Sequence, residues 1–266
     1  MKKIANFTTQ KCNSMSESIK GKYEIQTNPN VSVDCVVFGF DGTELKVLLV
    51  QRVLRDNLDI EDDTLVLPGD LIIDDEDLDE AASRILRRLT GIKNIFLEQV
   101  GAFGSPERLS KERDREWLQA VRVKPEARVI TIGYFALINI QNYKIRPAGF
   151  AKHLEWRDYH TVEELGFDHN EILDAAILKL RDKLYREPIG FKLLPAKFSL
   201  HQLYTLYNEI MDAEIDRRNF RRRMLKTGFI KETDKYQEGV PHKPARLYTF
   251  VQKEFENVSK NNFKFY

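Results

Sequence analysis

The sequence predicts an α/β domain followed by a small, basic winged helix-turn-helix domain. Residues 31–52 alternate as a β-hairpin around Asp41-Gly42, and residues 75–90 repeat apolar side chains every three or four positions, as an amphipathic helix does. Near the C-terminus, two short capped helices follow one another, and positive charge is concentrated on the second. We predict a polar arm at 1–30, an α/β domain at 31–187, a winged helix at 191–256 and a tail at 257–266.

The strands and helices of the first domain follow from local patterns. The hairpin 31–40 and 45–52 is followed by a short strand at 65–68, which Pro68-Gly69 ends. Acidic residues 74–76 suit the N-terminus of the helix 75–90, and Gly91 suits its end. The remaining predicted elements are strands at 95–103 and 128–139, a mobile charged insertion at 107–127 between them, a helix at 170–186 and a domain boundary at Pro188-Ile189-Gly190.

Composition limits the class of protein. With 266 residues, 42% of them hydrophobic, the chain can bury a substantial core, which excludes a largely disordered protein. The formal net charge is +1, but residues 191–266 hold 15 Lys and Arg against 9 Asp and Glu. This asymmetry indicates either a basic module that meets a polyanion or a basic solvated face.

Cysteine content and hydropathy predict the compartment. Cys12 and Cys35 are too few, and too far from paired histidines, to indicate a disulfide framework or a zinc site. No apolar run has the length of a signal peptide or a bilayer span. We therefore expect a cytoplasmic protein with free thiols, no membrane partner and no cofactor.

Residues 67–92 resemble the Nudix box. Glu76, Arg84 and Gly91 fall at matching positions when Asp70 is aligned with the first glycine of that motif. With the order of the strands, the resemblance covers residues 31–185 and implies a Nudix α/β/α sandwich with a mixed sheet. It also implies a cleft for nucleoside diphosphate derivatives.

The same motif lacks the carboxylates of the hydrolases. Nudix hydrolysis uses divalent cations held by glutamates of the box helix, because hard cations require oxygen ligands. Here the three glutamate positions read Ile85, Arg88 and Leu89. Acidic residues at 74–80 could form a metal cluster, but N-terminal dipole partners are the simpler interpretation. We predict a domain without catalytic residues or a metal site, which binds an effector without hydrolysing it.

Residues 99–108 resemble the pocket segment of ADP-ribose-type Nudix proteins and related regulators. The resemblance implies a sugar or an ADP-ribose-like metabolite as effector. The alternative is that the aromatic side chain belongs to the core and the arginines form surface pairs. The candidate effector contacts are Arg52, Phe103 and Arg108, with lower weight on Glu98 and Arg128.

The C-terminal region predicts a helix-turn-helix. Ser199 and Gln202 form a capping box for a first helix, and Asp216 can cap a second helix at 217–226. That second helix has six Lys and Arg in ten residues, and Phe220, Met224 and Leu225 would anchor it. Such a helix suits the major groove, with a wing at 239–244 and a strand at 245–251 behind it. The predicted DNA contacts are Arg217, Arg218, Asn219, Arg221, Arg222, Lys226, Lys243 and Arg246.

Residues 191–250 also resemble the C-terminal domain of Nudix-related transcriptional regulators, among them regulators of NAD metabolism and of arabinose use. This resemblance implies an effector-sensing regulator that binds a double-stranded DNA operator, and a two-fold operator favours a homodimer. Two alternatives stay open at this stage. One is a Nudix hydrolase with a basic appendage, and the other is an architectural or RNA-binding protein without a sensing role.

Overall fold

The computed structural model describes residues 27–52, 63–241 and 243–259. Most of the predicted arm at 1–30 lies outside the described residues, but the first strand already begins at Thr27. Seven strands form one sheet: β1 (Thr27–Phe40), β2 (Leu45–Arg52), β3 (Leu65–Val66), β4 (Gly69–Ile73), β5 (Leu97–Phe103), β6 (Ile130–Asn139) and β7 (Ala151–Asp158).

Strand β1 lies at the centre of this sheet. It pairs antiparallel with β2, where Phe38 is opposite Val47, and parallel with β6, where Val31 is opposite Ile130. Its first half also pairs with β4, while β5 and β7 extend the two sides through β6 and β2. The predicted mixed sheet and hairpin are confirmed, whereas β4 and β7 were not predicted.

The two faces of β1 contribute to two separate hydrophobic clusters, one on each side of the sheet. Val33, Cys35 and Val37 pack in one core cluster with α1 (Leu78–Thr90). Val36 and Phe38 pack in the other cluster with α3 (His169–Arg186). Because successive side chains of a strand point to opposite faces, one strand serves two cores. The α/β/α sandwich is therefore confirmed.

Helix α1 begins three residues later than predicted. Its N-cap is Asp77, which accepts from the main-chain N–H of Glu80 (2.8 Å), while the Glu80 side chain accepts from the N–H of Asp77. This capping box gives hydrogen-bond acceptors to the main-chain N–H groups of Asp77 and Glu80, so the helix begins there rather than at residue 75. The helix ends at Gly91, whose φ of 76° is left-handed, as predicted.

The charged insertion contains a packed helix, α2 (Glu112–Val121). Its residues Asp114, Trp117 and Leu118 are buried. The expectation of a mobile segment is therefore wrong for this part of 107–127.

The C-terminal domain has the order of a winged helix. Helix α4 (Leu200–Met211) is capped by the predicted Ser199–Gln202 box, and helix α5 (Arg217–Thr227) is capped by Asp216. The strands β8 (Phe198–Ser199), β9 (Ile230–Tyr236) and β10 (Arg246–Phe250) form a sheet, and α6 (Gln252–Ser259) reaches into the predicted tail. None of the described helices is long and apolar enough to cross a membrane.

The boundary between the domains is packed. A 3-10 helix, Pro188–Leu193, buries Ile189 and Leu193, and one hydrophobic cluster runs from the sheet and α3 into α4 and α5. Polar contacts join the same parts: Arg181 of α3 donates from Nε to the carbonyl of Ile210 (2.6 Å), and Glu209 accepts from the main-chain N–H of Leu45 (3.3 Å). The winged helix is thus docked on the α/β domain.

Candidate functional site

Two residues at motif positions of the Nudix-like segment, Glu76 and Arg84, pair with each other. Arg84 binds both carboxylate oxygens of Glu76, at 2.7 and 2.6 Å, and also donates to the carbonyl of Leu71 (3.0 Å). This bidentate pair ties α1 to β4 and the turn that follows it. The motif positions Glu76 and Arg84 therefore organise the loop around the helix.

The positions of the three missing glutamates lie in two environments. Ile85 and Leu89 are fully buried in the core beneath α1. The side chain of Arg88 is 52% exposed, and its Nη1 lies 3.3 Å from Oδ2 of Asp70. Among the described residues, no group of three or more His, Cys, Asp and Glu side chains could hold a metal ion.

At the start of α3 lies a buried group of charged and polar side chains, which we call the charge cluster: Asp34, Arg108, Thr131, Asp168 and His169. Arg108 binds both oxygens of Asp168 at 2.9 Å and lies 3.4 Å from Asp34. Thr131 donates to Asp34 (2.6 Å). The Arg108 side chain is only 4% exposed, so both of its acidic neighbours are paired inside the protein.

His169 completes the charge cluster as a neutral group. Its Nδ1 accepts from the main-chain N–H of Leu67 (2.9 Å), which places the ring proton on Nε2, 3.6 Å from Asp34. Complete burial lowers the pKa of His169 below its ordinary value, despite the attraction of Asp34. The ring thus fixes the end of β3 against α3.

Arg122 directly follows α2 as its C-cap residue. Its Nη1 is buried and makes no hydrogen bond with the described residues. Burial lowers the pKa of Arg122, although Asp34 and Asp70 attract its charge. Burial also raises the pKa of Asp70, although Arg88 and Arg122 oppose this. Sequence reasoning missed Asp34, Asp168 and Arg122.

Arg52, a predicted effector contact, lies in the core at 1% exposure. Its Nη1 donates to Asp114 (2.9 Å), and its guanidinium lies 5.1 Å from the ring centres of both Trp117 and Phe167. Asp114 also accepts from the main-chain N–H of Phe167 (2.7 Å). Because these contacts attach α2 to the sheet and enclose the side chain, we do not retain Arg52 among the proposed effector contacts.

The other predicted effector residues are dispersed. Phe103 packs against the α3 core, and Glu98 pairs with Lys183 (2.7 Å). Arg128 is exposed and donates to the carbonyl of Gly104 (2.9 Å). The structure brings Arg108 into the charge cluster, and Phe103 adjoins that cluster through its backbone pairing with Thr131. Their effector roles stay predictions.

The second helix of the winged helix, α5, presents its charge outward. Only Phe220 and Met224 are buried, so the predicted anchoring role of Leu225, which is 38% exposed, is wrong. All six Lys and Arg of the predicted helix are exposed: Arg217, Arg218, Arg221, Arg222, Arg223 and Lys226. The helix therefore combines a narrow apolar seam with a broad cationic surface.

Two contacts orient polar side chains on α5. Oδ1 of Asn219 accepts from Arg222 (2.8 Å), and the Arg217 guanidinium lies 5.8 Å from the ring centre of Tyr204. Asn219 and Arg222 can meet because residues three positions apart share a helix face, whereas the contact of Arg217 with Tyr204 joins α5 to α4.

The hairpin β9–β10 forms the predicted wing. Lys243 is exposed in the connecting loop, whose His242 is not among the described residues. Arg246 is exposed but pairs within the hairpin, with Glu232 (2.5 Å) and the hydroxyl of Tyr236 (2.8 Å). Its predicted DNA contact would therefore compete with Glu232.

Comparisons with known proteins agree with this architecture. Residues 190–250 match the family model described as the NrtR DNA-binding winged helix domain. Over 236 residues, the chain is 30% identical to the "ADPR responsive transcriptional repressor NtrR" of Acinetobacter baylyi, covering 86% of this chain and 85% of that protein. The chain belongs to the NrtR family of transcriptional regulators. As in the sequence prediction, an NrtR-type winged helix follows a Nudix-like domain.

Further matches cover the NrtR fold and its Nudix part. The crystal structure of Shewanella oneidensis NrtR superposes with a TM-score of 0.62 at 26% identity, covering 83% of this chain and 94% of that one. An ADP-ribose pyrophosphatase of Methanocaldococcus jannaschii is 24% identical over 152 residues, which cover 57% of this chain and 75% of that protein. The NrtR family thus shares its Nudix-like domain with hydrolases.

Proposed function

We propose that this protein is a transcriptional repressor that binds operator DNA through α5 and changes its operator affinity when ADP-ribose binds the Nudix-like domain. The observation that carries the DNA-binding part is the exposure of every cation of α5 around a seam of two buried residues. A helix of this kind can place cations on phosphates and on guanine edges in the major groove.

ADP-ribose is favoured over a sugar as the effector. The Acinetobacter baylyi relative is named for its response to ADP-ribose, and the Methanocaldococcus jannaschii relative is a hydrolase of the same compound. We therefore set aside the pentose and hexose effectors that the sequence left open.

In this proposal, the protein binds ADP-ribose without hydrolysing it. Ile85 and Leu89 fill two of the family's metal-ligand positions with buried hydrocarbon, and Arg88 brings a positive charge to the third. Neither replacement supplies oxygen ligands for a divalent cation.

Hydrolysis is the second candidate function, because a pyrophosphatase is among the relatives. We expect no turnover of ADP-ribose above background with Mg²⁺ or Mn²⁺, measured by release of AMP. The Methanocaldococcus jannaschii enzyme serves as the positive control. Metal-dependent turnover that persists after repurification would establish the hydrolase instead.

The repressor proposal is tested on selected DNA. Duplexes enriched by the protein from a random pool are labelled, and their binding is followed by fluorescence anisotropy with and without ADP-ribose. We expect a sequence preference, a palindromic site bound by a homodimer, and an affinity that shifts with ADP-ribose but not with arabinose. Equal binding to scrambled duplexes would contradict the proposal.

A further inference from the structure

Helix α5 carries three large apolar side chains, and one of them is exposed. Phe220 and Met224 are buried. Phe220 packs against two rings of α4, with ring centres 5.7 Å away at Tyr204 and 5.2 Å away at Tyr207. Leu225, in contrast, is 38% exposed. Scattered exposed leucines are common on protein surfaces, so exposure alone assigns no role to Leu225.

The position of Leu225 on the helix is more informative than its exposure. Successive residues of an α-helix are turned by about 100°, so the side chain of Leu225 is directed away from its buried neighbour Met224. Residues three, four and seven positions apart share a helix face. At these distances before Leu225 stand three exposed arginines: Arg222, Arg221 and Arg218. The outward face of α5 is therefore an apolar side chain bordered by cations.

This combination indicates which surface the face of α5 fits. The three arginines favour a polyanion, because pressing their charges against an apolar protein surface would leave them without water or partners. In the major groove of DNA, the edges of the bases present hydrogen-bond donors and acceptors and one apolar group, the C5-methyl of thymine. A leucine can bond to none of the polar groups, but it can pack against the methyl.

We infer that Leu225 is a specificity-determining residue that recognises thymine in the operator by packing against its C5-methyl group. The inference rests on the proposed function, in which α5 enters the major groove of operator DNA. Arginines of the same face contact phosphates and guanine edges, and Leu225 adds a preference for a T·A pair. At another base pair, the leucine would cover a donor or acceptor without bonding to it, which increases the discrimination.

The test removes the methyl group from the DNA and the leucine from the protein. Each thymine of the selected operator is replaced in turn by deoxyuridine, which keeps every hydrogen-bonding group of thymine and lacks only the methyl. Binding of the full chain is measured by fluorescence anisotropy. For the wild type, we expect deoxyuridine at one particular thymine to weaken binding about fourfold, because this is the effect of leaving one methyl-sized group unburied.

Variants of the protein assign that effect to Leu225. Leu225→Ala should bind the thymine and deoxyuridine duplexes alike, whereas Leu225→Met should keep a difference between them. Leu178→Ala is the matched control, because Leu178 is an exposed leucine (61%) of α3, and it should keep the wild-type response. Lys243→Ala should weaken binding to both duplexes but keep the difference, since its contact is to phosphate. The melting temperature without DNA reports on folding of each variant.

The outcomes separate this inference from the proposed function. If Leu225→Ala keeps the wild-type difference, or if the wild type responds to the methyl of no thymine in the operator, Leu225 does not recognise thymine and the repressor proposal stands. If the difference depends on Leu225 but ADP-ribose leaves operator affinity unchanged, the inference stands and the proposed effector is wrong. Equal binding of operator and scrambled duplexes by the wild type overturns both.

Discussion

The Arg52–Asp114 pair is the most deeply buried ion pair of the described residues, with both side chains at 0% exposure. Two aromatic rings enclose the guanidinium, and Asp114 also accepts from the main chain at Phe167. A buried pair contributes little relative to an apolar replacement, but loss of one partner leaves an uncompensated charge. The pair therefore specifies how α2 docks rather than supplying net stability.

Removing one partner of this pair should strongly destabilise the protein. We expect Asp114→Ala to lower the free energy of unfolding by about 3–5 kcal/mol, measured by urea denaturation. Asp182→Ala is the control, because it breaks the exposed pair with Arg186 and should cost less than about 1 kcal/mol. A similar small loss in both variants would contradict the role assigned to Asp114.

His169 should make stability depend on pH. The folded protein keeps this ring neutral, because burial lowers its pKa, while the unfolded chain takes up a proton below the ordinary value of 6.5. The stabilising contribution of His169 is therefore complete above that pH, and it is lost as pH falls towards the lowered folded-state pKa. The expected slope is at most about 1.4 kcal/mol per pH unit.

Urea denaturation at several pH values between about 7.5 and 5.5 measures this slope. His169→Asn can keep an acceptor for the N–H of Leu67 but cannot titrate, so it should flatten the profile. His160→Asn, at a partly exposed position beside Glu209, controls for the other histidines. An unchanged slope in His169→Asn would show that other groups cause the pH dependence.

At the scale of elements, α5 and the wing should contribute differently to DNA binding. Arg218→Ala or Arg222→Ala should cost about 1–3 kcal/mol on the selected operator and relax specificity at one base pair, if that side chain reads a base edge. Lys243→Ala should weaken binding to all duplexes alike. It should also reduce the slope of the logarithm of the binding constant against the logarithm of salt concentration by about 1.

Anisotropy titrations at two salt concentrations, on operator and scrambled duplexes, distinguish these effects. Lys179→Ala serves as the control, since this lysine contacts the carbonyl of Gln99 on the α/β domain. If Arg218→Ala, Asn219→Ala and Arg222→Ala all leave operator binding unchanged, α5 is not the helix that recognises the base sequence.

Local patterns were sufficient to predict most elements. The hairpin, the helices α1, α3, α4 and α5, and the caps at Gly91, Ser199 and Asp216 all follow from periodicity and from residues with specific backbone roles. Strands β4 and β7 were missed, because their stability comes from pairing with β1 and β2 rather than from their own composition.

The candidate site was less predictable. Arg108 and Asp168 are 60 residues apart, and nothing in a sequence distinguishes a buried arginine with a distant partner from an exposed one. The structure therefore changes the expectation for Arg108→Ala. It should lower stability by leaving Asp168 and Asp34 unpaired, and so it cannot isolate the effector response.

At the scale of the whole molecule, α3 joins the two functions. Its first residues belong to the charge cluster, and Arg181 near its other end donates to Ile210 in the last turn of α4. A rigid helix between two sites can carry coupling if both sites bias its position.

Arg181→Ala should therefore reduce the coupling between effector and operator. We expect the ADP-ribose-dependent change in operator affinity to shrink by about 0.5–2 kcal/mol, while ADP-ribose affinity without DNA stays within about threefold. Lys179→Ala, on the same helix but contacting β5, should keep the coupling. Anisotropy and calorimetry together measure both quantities, and intact coupling in Arg181→Ala would exclude this route.

The continuous core across the domain boundary has a consequence for the exchange of parts between proteins. Gly190 lies so close to Leu184 and Tyr207 that an added Cβ would come within 2.9 Å of the first and 3.7 Å of the second. Tyr207 and its neighbour Leu206 are buried in the cluster that also holds α3. We therefore expect this winged helix to lose stability when it is joined to an unrelated sensor domain, because the transfer would expose apolar surface that α3 now covers.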